Sequence, residues 1–206
     1  MEARRRLLEA YERLKPLTLD PGEFVVSRAT TLFETLIATV LSQNTSDRLA
    51  IRALENLRRL TGHPVTPEAV LGTSPSQLLE AVKPAGMQRQ RAERLRAIAE
   101  ALARAPGLLD RLKGMGVEEA RRALMQLPGV GPKTADVVLM VAGKATFPVD
   151  THISRVIPRL LGLERASYEE MRTMAVEALC EPDRLRELHM KLIFCLLYTS
   201  DAADDG

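Results

Sequence analysis

Apolar residues recur at three- and four-residue intervals along almost all of this chain, a spacing that restricts it to helices packed on helices. Leu32, Phe33, Leu36, Ile37, Val40 and Leu41 form one stripe, and Leu49, Ala53, Leu54 and Leu57 form the next. No segment alternates apolar and polar residues as a half-buried strand must. The fold class is therefore all-α. Gly and Pro punctuation divides the chain into roughly ten short helices. They are expected at residues 5–14, within 30–60, and at 67–71, 75–82, 88–103, 117–126, about 133–142, 150–161, 168–179 and 183–194. The polar run Ser42-Gln43-Asn44-Thr45-Ser46-Asp47 interrupts the 30–60 segment and opens a second helix there, with Ser46 or Asp47 as its cap.

Composition narrows the function classes. A length of 206 residues with 46% hydrophobic and 27% charged residues is that of a globular chain with a proper core. No apolar stretch is long enough to span a bilayer, and no secretory core follows the Met1–Arg6 start, so the expected compartment is the cytoplasm. A net charge of +2 gives no bulk cationic field. Arg outnumbers Lys 23 to 6, which suits bidentate phosphate contacts but follows equally from GC-rich codons or thermophily. Two cysteines, Cys180 and Cys195, are too few for a disulfide framework.

The chemistry is concentrated in Leu127-Pro128-Gly129-Val130-Gly131-Pro132-Lys133, which lies between two expected helices. Gly129 and Gly131 permit a tight turn whose successive N–H groups point one way, with Val130 at its tip. Pro132 fits a first helical position. Such a hairpin is either an anion site for a DNA phosphate or a plain helical turn with no ligand. Lys133 falls in the first turn of the following helix, where the macrodipole disfavours an ammonium. Burial there would leave a neutral amine able to attack an electrophile. Taken alone, an exposed lysine touching phosphate or nothing is the simpler reading.

A second motif, Val149-Asp150-Thr151-His152-Ile153-Ser154-Arg155-Val156, changes that balance. Asp150 reads as a helix cap, or as a carboxylate that stabilises positive charge and shuttles protons beside Lys133. In order and spacing, the two motifs together resemble the helix–hairpin–helix (HhH-GPD) glycosylases of the endonuclease III type. Leu41-Ser42-Gln43-Asn44-Thr45-Ser46-Asp47 resembles the stretch of that family that faces DNA, and the resemblance extends from about residue 20 to residue 194.

The resemblance implies two helical domains. One is a six-helix barrel over residues 21–144; the other joins residues 1–20 to 145–194. It also implies base excision repair on double-stranded DNA that carries damaged bases or abasic sites. The base is flipped, Lys133 displaces it at C1′, and the resulting Schiff base lets β-elimination cleave the strand 3′ to the lesion. Lys133 and Asp150 are the implied catalytic pair. Gln43, Asn44 and Met87 are the implied fillers of the space left by flipping. Gly129, Val130, Gly131, Thr134 and His152 are the implied DNA contacts, although a lone His more often supports its helix. His63 and His189 carry no role. Removal of oxidised pyrimidines is the expected activity, and the chain is expected to be a monomer. A mismatch uracil or thymine glycosylase and a non-catalytic DNA-binding module are the competing readings.

One part of the family pattern is missing. Most endonuclease III relatives bind a [4Fe–4S] cluster through four thiolates. This chain has no such set, so no metal site and no cofactor are expected in it. Cys180 is expected as a small buried residue on its helix. Residues 195–205 resemble an in-frame translation of a transposase sequencing adapter over eleven consecutive residues, so residues 195–206 are expected to be a non-native tail rather than the short acidic tail of a clusterless family member. Leu196, Leu197 and Tyr198 are then expected to adhere loosely, and residues 200–206 to be exposed and irregular.

Overall fold

A computed structural model describes the backbone of residues 2–204 and the side chains of residues 2–195. Twelve α-helices and three short 3-10 segments lie among the described residues. They are α1 (Glu2–Leu14), α2 (Leu32–Leu41), α3 (Asp47–Thr61), α4 (Pro67–Gly72), α5 (Pro75–Val82) and α6 (Gln88–Arg104). The chain continues through α7 (Leu108–Arg111), α8 (Val117–Met125), α9 (Pro132–Val141), α10 (Ile153–Leu161), α11 (Tyr168–Leu179) and α12 (Pro182–Asp204). None of these helices is long and apolar enough to cross a membrane. Two compact units result: Asp20–Ala142, and Met1–Leu19 with Gly143–Gly206.

The larger unit is organised around α2. Every residue from Phe33 to Leu41 is buried, as expected for a helix that is apolar on nearly all sides. It packs against α3, α6 and α9, while α6 also packs on α4 and α5, and α8 on α9. Burial of α2 includes Glu34, which is 0% exposed. The Arg58 Nε donates to its Oε1 at 3.0 Å and the Arg58 Nη2 to its Oε2 at 2.7 Å. The Val65 N–H, the Thr30 N–H and the Thr30 hydroxyl each donate to the same carboxylate at 2.9 Å. Burial alone would raise the pKa, but these donors, led by Arg58, outweigh it and hold the carboxyl at about 2.

The smaller unit packs α1 on α10, α11 and α12 around Leu7, Phe147, Ile153, Ile157, Ala175, Leu185 and Leu188. The Tyr11 hydroxyl donates to Glu187 Oε2 at 2.6 Å, and Lys191 Nζ reaches Glu187 Oε1 and the Lys15 carbonyl, each at 2.6 Å. The terminal helix is thereby fastened to the first one. Reciprocal capping boxes, Ser74 with Gln77 and Ser167 with Glu170, set the starts of α5 and α11.

Three local expectations are corrected. Cys180 is exposed rather than buried, because α11 ends at Leu179 and Cys180 takes φ +60° at its C-cap. The tail is not irregular over residues 200–204, since α12 runs on to Asp204, and no Gly or Pro interrupts it after Pro182. The expected loose packing of Leu196, Leu197 and Tyr198 and the exposure of residues 200–206 lie outside the described side chains. Finally, α10 begins at Ile153 and not at Asp150, because residues 150–152 form the turn that caps it.

Candidate active site

The hairpin between α8 and α9 is closed by one backbone bond, from the Val130 N–H to the Leu127 carbonyl at 3.1 Å. Pro128 precedes Gly129, whose φ of +72° is the left-handed value that the third position of a type II turn requires. Gly131 is extended, with φ −93° and ψ −178°, and serves as N-cap to α9 with Pro132 behind it. The Gly129 and Gly131 N–H groups make no hydrogen bond among the described residues, which leaves both available to an anion. Val130 does not stand at an exposed tip: its side chain is 5% exposed and belongs to the core, and its N–H is consumed by the turn. Thr134 is likewise buried, at 3% exposure, because α9 faces the core from its third residue onward.

Two buried groups stiffen this hairpin. Arg121 on α8 and Asp136 on α9 pair at 3.2 Å (Nε to Oδ2), with Asp136 fully buried. A paired internal charge of this kind holds two helices in register because separating it strands a charge.

Lys133 is half-buried at the second position of α9. Its ammonium interacts electrostatically with the Asp47 carboxylate. Asp47 opens α3 but does not cap it by its side chain; Ser46 is the N-cap residue, without a side-chain bond, and Asp47 Oδ1 accepts from the Val25 N–H at 2.8 Å. Burial raises the Asp47 pKa, opposed by the Val25 N–H and by the charge of Lys133. In the sequence, Asp47 is visible as a possible cap and as the last residue of the 41–47 stretch, not as a partner of Lys133.

In the other unit, Asp150 Oδ1 accepts from the Ile153 N–H at 2.7 Å. The carboxylate therefore caps α10, and Oδ2 has no hydrogen-bond partner among the described residues. The extended segment that delivers it is fixed at several points. His189 Nδ1 lies 3.1 Å from the Pro148 carbonyl, and its ring stands edge-on to Phe147 with centroids 5.7 Å apart. Arg172 Nε donates to Thr146 Oγ1 at 2.9 Å. His189, without a role in the sequence reading, thus supports the approach to Asp150. His152 is half-buried and its carbonyl accepts from Arg155 and Val156 at 3.0 and 3.2 Å; its ring makes no hydrogen bond among the described residues.

Gln43, Asn44 and Met87 come together around one small depression with Gln90, Arg91 and Arg94. Met87 is 52% exposed and left-handed at φ +46°; Asn44 is exposed at φ +54°. An exposed apolar side chain on strained backbone is uncommon and concentrates at functional positions. Both loops are tied to α6 by Arg91, which is 4% exposed. Its guanidinium donates to the carbonyls of Val40, Gln43, Ala85 (3.1 Å) and Gly86 (2.8 Å). Burial, and then repulsion from Arg94, lower the Arg91 pKa. The Gln-Arg-Gln-Arg run over 88–91 reads as a solvated helix face, so nothing in the sequence singles Arg91 out.

Residues 37–182 match the family described as HhH-GPD superfamily base excision DNA repair protein. The chain is 33% identical over 147 residues to endonuclease III of Sulfolobus acidocaldarius, covering 69% of this chain and 64% of that protein. It is 36% identical over 139 residues to endonuclease III of Thermotoga maritima, covering 67% of this chain and 61% of that protein. Under two thirds of either relative's length is thus spanned. Among solved structures, a trapped endonuclease III–DNA covalent intermediate superposes with a TM-score of 0.70 and 28% identity, over 93% of this chain and 83% of the other.

Proposed function

The chain belongs to the HhH-GPD superfamily of base excision DNA repair proteins, and from that premise we propose that it is a bifunctional DNA glycosylase and abasic-site lyase acting on oxidised pyrimidines in duplex DNA. The observation that carries the reading is Lys133: an amine in the first turn of α9, just after two glycines with unengaged N–H groups and within electrostatic range of the Asp47 carboxylate. The likeness to endonuclease III of two organisms and to its trapped covalent complex supports the same chemistry.

In this reading the Gly129 and Gly131 N–H groups and the positive end of α9 bind a DNA phosphate. The damaged base leaves the stack, and Gln43, Asn44 and Met87 enter the space left behind. Asp150 is assigned as the carboxylate that offsets the positive charge developing at C1′, and the Lys133 ammonium gives its proton to solvent before attack. The neutral amine bonds to C1′ as the C1′–N bond to the base breaks, and the departing base takes a proton from water. Ring opening gives a Schiff base. Loss of a C2′ proton to water then expels the 3′ phosphate and cleaves the strand. Asp47 shares the charge of Lys133 before attack.

The reading needs no metal. A [4Fe–4S] cluster requires four thiolates, whereas the sequence has two cysteines, Cys180 exposed at the end of α11 and Cys195 on α12. The residues present do not fit such a cluster, and no step passes through one. We read the protein as a monomer on DNA.

Duplexes carrying an oxidised pyrimidine, a G·U mismatch, a G·T mismatch or an abasic site test the proposal. Release of the oxidised base followed by nicking 3′ to the site is expected. Base release confined to the mismatches would replace the substrate class, and binding without release or nicking would leave only a DNA-binding module.

A further inference from the structure

Arg94 lies on the face of α6 that looks across the depression, and the chemistry described so far gives it no part. Its Nη1 donates to Gln43 Oε1 at 2.6 Å, a short, charge-assisted bond. Its stem lies over the hairpin: a Cβ built on Gly129 would sit 2.6 Å from Arg94 Nε and 2.8 Å from Cδ. One side chain therefore spans from α6 to the amide of Gln43 and to the turn that precedes Lys133. Gly129 is required twice over, by its φ of +72° and by this close approach.

The orientation of the Gln43 amide follows from chemistry. A guanidinium carries donors only, so the amide must turn its oxygen towards Arg94 and its NH2 away. The main chain of Gln43 is held as well, because Arg91 donates to its carbonyl. A glutamine otherwise free to flip presents either a donor or an acceptor. Here both ends are held, and the acceptor is already occupied.

We infer that Arg94 is a positioning residue that locks Gln43 with its two N–H donors turned towards the duplex, making recognition of the base opposite the lesion depend on where that base carries acceptors. The inference rests on the reading of Gln43 as a residue that enters the space left by the flipped base. Arg94 touches neither the reacting atoms nor, in this role, the opposite base. Its contribution is preorganisation of a rotamer-rich side chain, worth roughly three- to tenfold in affinity.

The test is binding of duplexes that carry a tetrahydrofuran abasic analogue opposite each of the four bases, at fixed salt. Wild type is expected to show a spread between the best and worst opposite base. Arg94→Met should narrow that spread roughly three- to tenfold, Gln43→Ala should narrow it similarly, and the double variant should narrow it no further. Arg94→Lys keeps the cation on a shorter side chain, so it should restore overall affinity without restoring the spread. Arg89→Met, on the exposed side of α6 where Arg89 pairs with Glu93, controls for loss of one charge. Uniform weakening by Arg94→Met with an unchanged spread, additive effects in the double variant, or a wild type indifferent to the opposite base would each overturn the inference. Failure of the functional reading looks different: wild type would then bind the abasic-analogue and intact duplexes equally. Circular dichroism melts of every variant separate lost recognition from lost folding.

Discussion

Replacing Glu34 with Gln should be among the most damaging single-atom changes available in this protein. All five donors to the carboxylate are fixed by the fold: two from Arg58, one from Val65 and two from Thr30. In the Glu34→Gln variant one oxygen becomes an NH2 that faces donors whichever way the amide is turned, and Arg58 loses its counter-charge. Breaking one partner of a buried pair costs about 3–5 kcal/mol. The depressed pKa, set by the same donors, points the same way: a fall from 4.5 to about 2 corresponds to about 3 kcal/mol. For a chain of this size that is a loss of roughly 6–20 °C in Tm. Because the folded-state pKa is depressed, the stabilisation is fully present above about pH 4.5 and disappears as pH falls towards 2. Thermal melts of wild type and Glu34→Gln from pH 7 to pH 3 measure both effects. The gap in Tm should be wide at pH 7 and close steadily below pH 4.5. A gap under about 2 °C at neutral pH, or one that does not change on acidification, would refute the assignment of Glu34 as an ionised, fully bonded core residue.

Asp150→Asn keeps the cap on Ile153, so folding should be unaffected while base excision falls by a factor of roughly 10²; equal excision in the two proteins would reduce Asp150 to a cap. Gly131→Val is compatible with φ −93° and meets nothing within 4 Å, so the fold should tolerate it. It should weaken intact and damaged duplexes by the same factor, because phosphate contacts carry no lesion information. A loss confined to damaged DNA would contradict that role. Met87→Gly relieves the left-handed strain at φ +46° at the expense of chain entropy, so stability should shift by less than about 1 kcal/mol. Preference for an abasic-analogue duplex over an intact one should nonetheless fall, and an unchanged preference would remove Met87 from the space-filling set.

Much of the helical framework is legible in the sequence because its signals are local. The spans of α5 and α11 follow from Ser74-Pro75 with Gln77 and from Ser167 with Glu170, whose bonds reach only three residues. The four-residue α7 has too short a period to show. The hairpin is legible as a turn, but spacing alone does not say that Val130 points inward, since that depends on the core formed by α2 and α9. The arginines of α6 are illegible for the opposite reason. Arg91 and Arg94 act on Val40 and Gln43, each 51 residues away in sequence, and only folding brings those partners to them. Asp47 reads as a cap in the sequence, yet its acceptor role is satisfied by Val25, 22 residues upstream.

The central claim is that Lys133 is the nucleophile, and borohydride trapping on a duplex with a single abasic site measures it most directly. Wild-type protein should yield a covalent protein–DNA adduct. Lys133→Gln should yield none, while still binding the same duplex with nearly the wild-type Kd. Adduct formed by Lys133→Gln at the wild-type rate would contradict the claim and move the amine elsewhere.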